Sequence, residues 1–486
     1  MGRKKIPTTA PPTSLELPAA AMRDMVDRAM ERIERFVETL PDQPMHAVTG
    51  GKKLARSLRE PMPEVGAPYE RLLRLLFGRV LPASLNTASP GFLAYVPGGG
   101  LFHAAVADLI ADATNRYIGV WQAAPALVQL ETNVIAWFSS MIGHPEGGGG
   151  LLTTGGSMAV LIAIITARRE RLPPDFLRGV VYVSDEVHHS VTKAALLAGF
   201  WPERIRRIAV DERRRMDARA LEDAISRDQR EGLTPFFVVA SGGTVNSGAV
   251  DDLHAIADVA ARHALWLHVD AAYGGFFALT ERGKAALTGI ERADSVTLDP
   301  HKGLFLPYGT GCLLVRERAA LQRAHATHAA YMPPMQQDDD LLDFCDMGPE
   351  LSRDVRGLRV WLPLKMHGAA AFRAALDEKL DLARDAASTL RAMPDLEVLE
   401  PELSLFAWRW RPDGLTGEAL DARNRRLLAG INARQRVMLT GTTLDGVFYL
   451  RTCVLNFRTH REHIDALIED ATSVIASLRD ASDEAP

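Results

Sequence analysis

Lys302 stands in the run Asp299-Pro300-His301-Lys302-Gly303, directly after the apolar stretch Ser295–Leu298. A lysine just past a strand end can be desolvated, and a desolvated amine can form a Schiff base with a carbonyl. Pro300 stiffens the approach and Gly303 allows close backbone packing; without such neighbours a lysine is ordinarily a solvated surface residue. Asp270 ends a second apolar run, Leu265–Val269. A carboxylate there needs a partner, either a cation such as a protonated ring nitrogen or the donors of a turn that it caps. Thr153-Thr154-Gly155-Gly156-Ser157 comes directly before a helical stretch, Met158–Arg169. Backbone N–H groups, a hydroxyl and the positive end of a helix dipole suit an anion such as phosphate, and an ordinary Gly/Ser cap is the plainer alternative. The run is not a nucleotide P-loop, because no Gly-Lys-Ser/Thr follows. His188, in Ser184-Asp185-Glu186-Val187-His188-His189, can lay a neutral ring on a flat ligand or be an ordinary packed histidine. Thr244 follows a third strand-like run, Phe236–Ala240, and offers a hydroxyl that could meet a ring oxygen.

These residues need a frame. Val180–Ser184, Arg207–Val210, Phe236–Ala240, Leu265–Asp270 and Ser295–Leu298 read as strands, with helix-length segments such as Ala218–Arg230 and Asp252–His263 between most of them. Nearly continuous apolar strands alternating with helices imply a mostly parallel sheet covered on both faces. Such sheets bind ligands at the carboxyl ends of their strands, where the residues above stand. Cys312–Val315 follows its neighbour after a short connection, so it reads as an antiparallel member. The Gly147–Gly150 run reads as a flexible loop. Two amphipathic stretches, Ala19–Leu40 and Tyr69–Phe77, precede the sheet and must bury their stripes on something else. Beyond Pro334 an acidic stretch, Gln336–Asp340, reads as a lid or a disordered segment. A long helix is expected over Leu358–Leu380, bent near Pro363 and Gly368, followed by strand-like pieces at 396–399, 404–408 and 446–451 and a last helix at 463–478.

The chain has 486 residues, 47% hydrophobic and 24% charged, with a net charge of −5. That composition excludes a disordered chain, a collagen repeat or a disulfide scaffold, and it lacks the basic excess of a nucleic-acid binder. Three cysteines in so long a chain fit a reducing, cytoplasmic setting. No stretch is long and apolar enough to suggest a membrane span, and the basic start lacks the apolar core of a secretory signal. His325 and His328 have helical spacing but no third ligand, and Asp338–Asp340 lacks a calcium-loop pattern, so no metal is expected.

Taken in order, Pro90–Pro97, Thr154–Ser157, Ser184–His188, His268–Tyr273 and above all Pro300-His301-Lys302 resemble the pyridoxal-phosphate-dependent group II amino-acid decarboxylases, the aromatic-L-amino-acid and glutamate decarboxylase group. The resemblance runs from about residue 65 to 460. It implies an α/β, fold-type I architecture with a seven-stranded, mostly parallel sheet. It also implies three parts: an N-terminal helical segment (1–88) that packs in a dimer, a large cofactor-binding domain (89–360) and a small C-terminal α+β domain (361–486). It implies that Lys302 carries pyridoxal 5'-phosphate, that Asp270 keeps the pyridine nitrogen protonated, and that His188 stacks on the ring. Gly156, Ser157 and His301 would contact the phosphate with Asp299 nearby, and Thr244 would sit by the cofactor. Tyr331, 29 residues after Lys302, matches the loop tyrosine that protonates the substrate carbon.

For the substrate pocket the resemblance points to Phe92, Tyr95, Pro97, Ile118, Val120 and Trp121, the last three contributed by the partner of a homodimer. Val96 and Val120 replace the phenylalanines of aromatic-specific members, and no basic cluster is present to bind a side-chain acid. The expected reaction is therefore decarboxylation of an aromatic or apolar L-amino acid to its amine. The alternatives are an aldehyde synthase on the same frame, an aminotransferase with Arg451 holding the α-carboxylate, and a non-catalytic cofactor-binding homologue.

Overall fold

The computed structural model describes residues 15–46, 50–327, 338 and 341–483. The chain divides into two compact units, Met1–Ser89 and Pro90–Pro486. In the first, the helix Ala19–Glu38 buries none of its residues and leaves Met22, Met25 and Val37 exposed along its apolar stripe. Shorter helices follow at Gly51–Ser57 and Tyr69–Leu75.

The second unit is built on a sheet of seven strands: β1 (Gly149–Thr153), β2 (Gly179–Ser184), β3 (Ile205–Ile208), β4 (Thr234–Ser241), β5 (Trp266–Asp270), β6 (Ser295–Leu298) and β7 (Gly311–Val315). Their order is β1-β7-β6-β5-β4-β2-β3. β2 to β6 are parallel, and β7 runs antiparallel to both of its neighbours. The central strands are buried along nearly their whole length, because helices pack against the sheet. The helix Gly156–Arg171 crosses the middle of it and buries Ala159, Val160, Ile162, Ala163, Ile164 and Ala167. Such all-round burial explains why this segment reads as apolar rather than amphipathic.

Register brings the chemistry together. Ser241 on β4 pairs with Asp270 on β5, which pairs with Thr297 on β6. The segments after these strands, carrying Thr244, Ala272 and Asp299–Lys302, therefore leave the sheet at one level.

A second, antiparallel sheet is made of β8 (Leu396–Val398), β9 (Leu405–Trp410), β10 (Thr440–Leu444) and β11 (Val447–Cys453), in the order β10-β11-β9-β8. Phe406, Trp408 and Trp410 form its core with Leu427, Ile431 and Leu467. The long helix spans Arg356–Arg391, and its break falls at Gly368, where φ is 71°.

Three expectations change. Gly149 and Gly150 are not in a flexible loop but open β1; a Cβ at Gly150 would lie 2.0 Å from the Leu313 carbonyl oxygen, so glycine is what lets β1 close on β7. β3 begins two residues before the expected run and ends at Ile208. β10 carries the threonines Thr440, Thr442 and Thr443 and no apolar run before Leu444, so the hydropathy pattern missed it.

Candidate active site

A cavity of about 780 Å³ opens at the carboxyl ends of β4, β5 and β6. Lys302 Nζ lies within it, 2.8 Å from Asp299 Oδ2, and the Lys302 side chain is 24% exposed. Burial alone would lower the lysine's pKa, but the Asp299 and Asp270 carboxylates outweigh it and hold the ammonium above its ordinary value. Asp299 itself is 3% exposed, and its second oxygen, Oδ1, has no hydrogen-bond partner among the described residues.

Asp270 lines the same cavity. Its Oδ1 accepts the Ala272 N–H at 3.2 Å. Burial lifts its carboxyl above the usual range, and the Lys302 charge and the Ala272 N–H oppose that lift. A carboxylate so placed gains most from a cation brought into the cavity.

The helix Gly156–Arg171 points its start at this place and has no side-chain cap. Gly155 is held at φ 155° in a turn where Thr153 Oγ1 accepts its N–H at 3.3 Å. The space a side chain at Gly156 would fill abuts Asp299 Oδ2, 3.2 Å away. Ser157 is exposed at the cavity wall. An uncapped helix start beside a lysine ammonium is an anion cradle, and the Asp299 carboxylate that abuts it is paired with that ammonium.

His188 Nδ1 lies 2.7 Å from Ser190 Oγ and 3.3 Å from the Ser190 N–H, which it accepts. Burial pushes its pKa down to about 4, so the ring is neutral near pH 7. His301 donates from Nδ1 to the Thr310 carbonyl at 2.5 Å, leaving Nε2 3.7 Å from Asp299 Oδ2. Thr244 is buried, with its hydroxyl 2.8 Å from Ser247 Oγ and accepting the Ala249 N–H at 3.1 Å. That hydroxyl therefore shapes its own turn as well as lining the cavity.

Of the expected pocket residues, only Tyr95 reaches this cavity, together with Val96. Tyr95 takes φ 53°, a costly conformation for a non-glycine residue, and Arg451 Nη1 pins its carbonyl at 2.6 Å. Phe92 and Pro97 do not line this cavity, and Ile118, Val120 and Trp121, whose expected place is the partner's cavity, do not line that of their own chain. Phe92 sits beside Met438, which bridges to it through the backbone. Ile118 belongs to the main core, Val120 is buried, and Trp121 packs against that core with its backbone N–H given to Asp343 Oδ1 at 2.7 Å. Tyr331 and His328 lie outside the described residues. His325 is held by Thr166 Oγ1, 3.0 Å from its Nε2.

Sequence reasoning weighed Arg451 only as the carboxylate holder of an aminotransferase and passed over the cavity residues beside it. Thr440 and Thr442 on β10, Asn246, and Arg451 on β11 all line the cavity. Arg451 is 4% exposed and donates from Nε to the Val245 carbonyl at 2.5 Å. Its Nη2 has no partner among the described residues, nor has the Thr440 hydroxyl directly across the strand pair. The signal was present as an arginine set in the apolar run Tyr449-Leu450-Arg451.

The family model of the pyridoxal-dependent decarboxylase conserved domain matches residues 54–411. An aromatic-L-amino-acid decarboxylase of Bacillus atrophaeus is 37% identical over 454 residues, covering 93% of this chain and 95% of that protein. Tryptophan decarboxylase 1 of Oryza sativa subsp. japonica is 31% identical, covering 92% of each. The crystal structure of Oryza sativa TDC with PLP and tryptamine superposes with a TM-score of 0.91 at 29% identity, covering 96% of this chain and 100% of that one.

Proposed function

Because the chain belongs to the pyridoxal-dependent decarboxylase family, and so is a PLP-dependent amino-acid decarboxylase, we propose that it acts on an aromatic L-amino acid and releases the amine and CO2. The observation that carries this reading is one cavity holding the Lys302 amine, the Asp270 carboxylate and the uncapped start of the Gly156 helix. Relatives named for aromatic amino acids, tryptophan and tyrosine support the substrate class.

The site fits the cofactor. Bound pyridoxal phosphate supplies an aldehyde that condenses with amines and a protonated ring that accepts the electron pair of a breaking bond. Lys302 is the amine that would tether it, and Asp299, 2.8 Å away, orients that amine in the cavity. Asp270, a buried carboxylate with one backbone donor, would keep the ring nitrogen protonated. The N–H groups of Gly156 and Ser157 and the Ser157 hydroxyl would receive the phosphate. His188, neutral near pH 7, would cover the ring face without adding charge to compete with Asp270. The free Nη2 of Arg451 orients the substrate's carboxylate, and Tyr95 and Val96 face its side chain. Tyr331, by the family resemblance, would return a proton to the carbon that loses CO2.

We read the working form as a homodimer, supported by the unburied apolar stripe of Ala19–Glu38. No helix among the described residues is long and apolar enough to cross a membrane. The free cysteines Cys312, Cys345 and Cys453 support a reducing, cytoplasmic location. The test is CO2 release across the twenty amino acids, DOPA and 5-hydroxytryptophan, with amine and hydrogen peroxide measured together. Amine without peroxide from tryptophan, tyrosine or their hydroxylated forms is expected. Peroxide in step with CO2 would make the protein an aldehyde synthase, and a keto acid without CO2 an aminotransferase.

A further inference from the structure

We propose that Arg353 and Glu131 are positioning residues for the phosphate cradle: their buried ion pair holds the open edge of β1 and so fixes the Thr154–Ser157 turn. The inference rests on the reading of that turn given above. Among the described residues, β1 is the edge strand of its sheet and pairs only with β7. Its outer backbone groups are buried, and a buried N–H or C=O must find a partner.

Leu152 finds three. Glu131 Oε1 accepts its N–H at 3.4 Å. Arg353 Nη2 donates to its carbonyl at 2.8 Å and to Glu131 Oε1 at 2.7 Å. Arg356 Nη1 donates to the same carbonyl at 3.3 Å. One arginine nitrogen thus clamps strand and carboxylate together. The pair is among the most deeply buried in the protein, with side-chain exposures of 1% for Arg353 and 0% for Glu131. Gly357 makes the approach possible, since a Cβ there would lie 2.6 Å from Glu131 Cβ. The Arg353 guanidinium also rests over the Phe344 ring, 4.5 Å from its centre.

The pair is not fully satisfied. Glu131 Oε2 and Arg353 Nε and Nη1 have no hydrogen-bond partner among the described residues. Desolvated charges with spare hydrogen-bonding capacity are a poor source of net stability, so placement explains the pair better than stability does. What it places is close at hand. Thr154 comes two residues after Leu152, and Gly155 is wedged against Gly311, where a Cβ would come within 2.5 Å of it. A shift of β1 along its open edge therefore moves the cradle. Neither Arg353 nor Glu131 lines the cavity, so both act through the strand.

The test is a titration of the cofactor-stripped protein with pyridoxal phosphate, read by absorbance, beside the thermal midpoint of the stripped protein. The double variant Glu131→Gln with Arg353→Met removes both charges at similar volume. It should bind the cofactor roughly tenfold more weakly or worse while its midpoint stays close to the parent's. Arg353→Lys keeps the charge but loses the planar guanidinium that rests over Phe344 and sets where Nη2 lies, and should fall between the two. Unchanged affinity in a folded double variant overturns the proposal, as does a loss that merely tracks a falling midpoint. Should the double variant not fold, Arg353→Lys decides by the same two readings. A parent protein that fails to bind pyridoxal phosphate would instead sink the reading of the cradle, and this inference with it.

Discussion

Asp228 and Asp299 are equally buried, each 3% exposed, and each belongs to the same seven-stranded unit. They differ in how completely their oxygens are used. Asp228 takes the Tyr182 hydroxyl at 2.8 Å and the Arg206 guanidinium through Nη2 at 2.6 Å and Nε at 3.0 Å. It lines no cavity described above. Asp299 leaves Oδ1 without a partner, shares its other oxygen with Lys302 and opens on the cavity, where Asp270 has one backbone donor. Burial with every acceptor filled is what a structural carboxylate looks like. Burial with capacity left over, beside a cavity and a lysine, is what a site awaiting a charged ligand looks like. The same contrast separates two histidines. His268 has both ring nitrogens engaged, 2.8 Å from Ser295 Oγ and 3.1 Å from Thr297 Oγ1, whereas His188 has a contact on Nδ1 and faces the cavity.

Substitutions should separate the two clusters. Lys302→Ala should abolish CO2 release, by about 10⁴-fold or more, with little change in thermal midpoint. Asp270→Asn keeps the shape but loses the charge opposite the ring nitrogen, and kcat should fall by roughly 10³-fold. Asp228→Asn should do the reverse. It leaves Arg206 short of its counter-ion and should cost about 2–3 kcal/mol of stability in denaturant melts, with kcat within about twofold. A large kcat loss in Asp228→Asn, or none in Asp270→Asn, would erase the distinction.

The smallest effect is in pH. His188, His144 and His325 are held near pKa 4 by burial, and His268 near 3, all below the ordinary 6.5. The folded state then binds fewer protons than the unfolded state below pH 6.5. Stability from these groups is full above 6.5 and is lost as pH falls toward 4. The thermal midpoint should drop steadily across that window, and His268→Asn should soften the drop. A flat midpoint from pH 7 to 4 would contradict neutral burial of these rings.

The strands that carry the site were legible because each is an apolar run ending in one polar residue: Leu265–Val269 before Asp270, and Ser295–Leu298 before Asp299. Hydropathy reads burial, and these strands are buried on both faces. The antiparallel placing of Cys312–Val315 was legible from its short connection. What failed depended on distant partners. Gly149 and Gly150 read as a flexible run, because nothing local shows that Leu313 and Arg318 press on them. β10 is polar because Thr440 and Thr442 face the cavity. Thr244 stands where expected, but Ser247, three residues on, already engages its hydroxyl.

The most direct test of the central claim is borohydride reduction of the purified protein with pyridoxal phosphate bound, followed by peptide mapping. The account predicts a single modified lysine, Lys302, and none in the Lys302→Ala variant. Modification elsewhere, or an unmodified Lys302 in protein that still releases CO2, would contradict it.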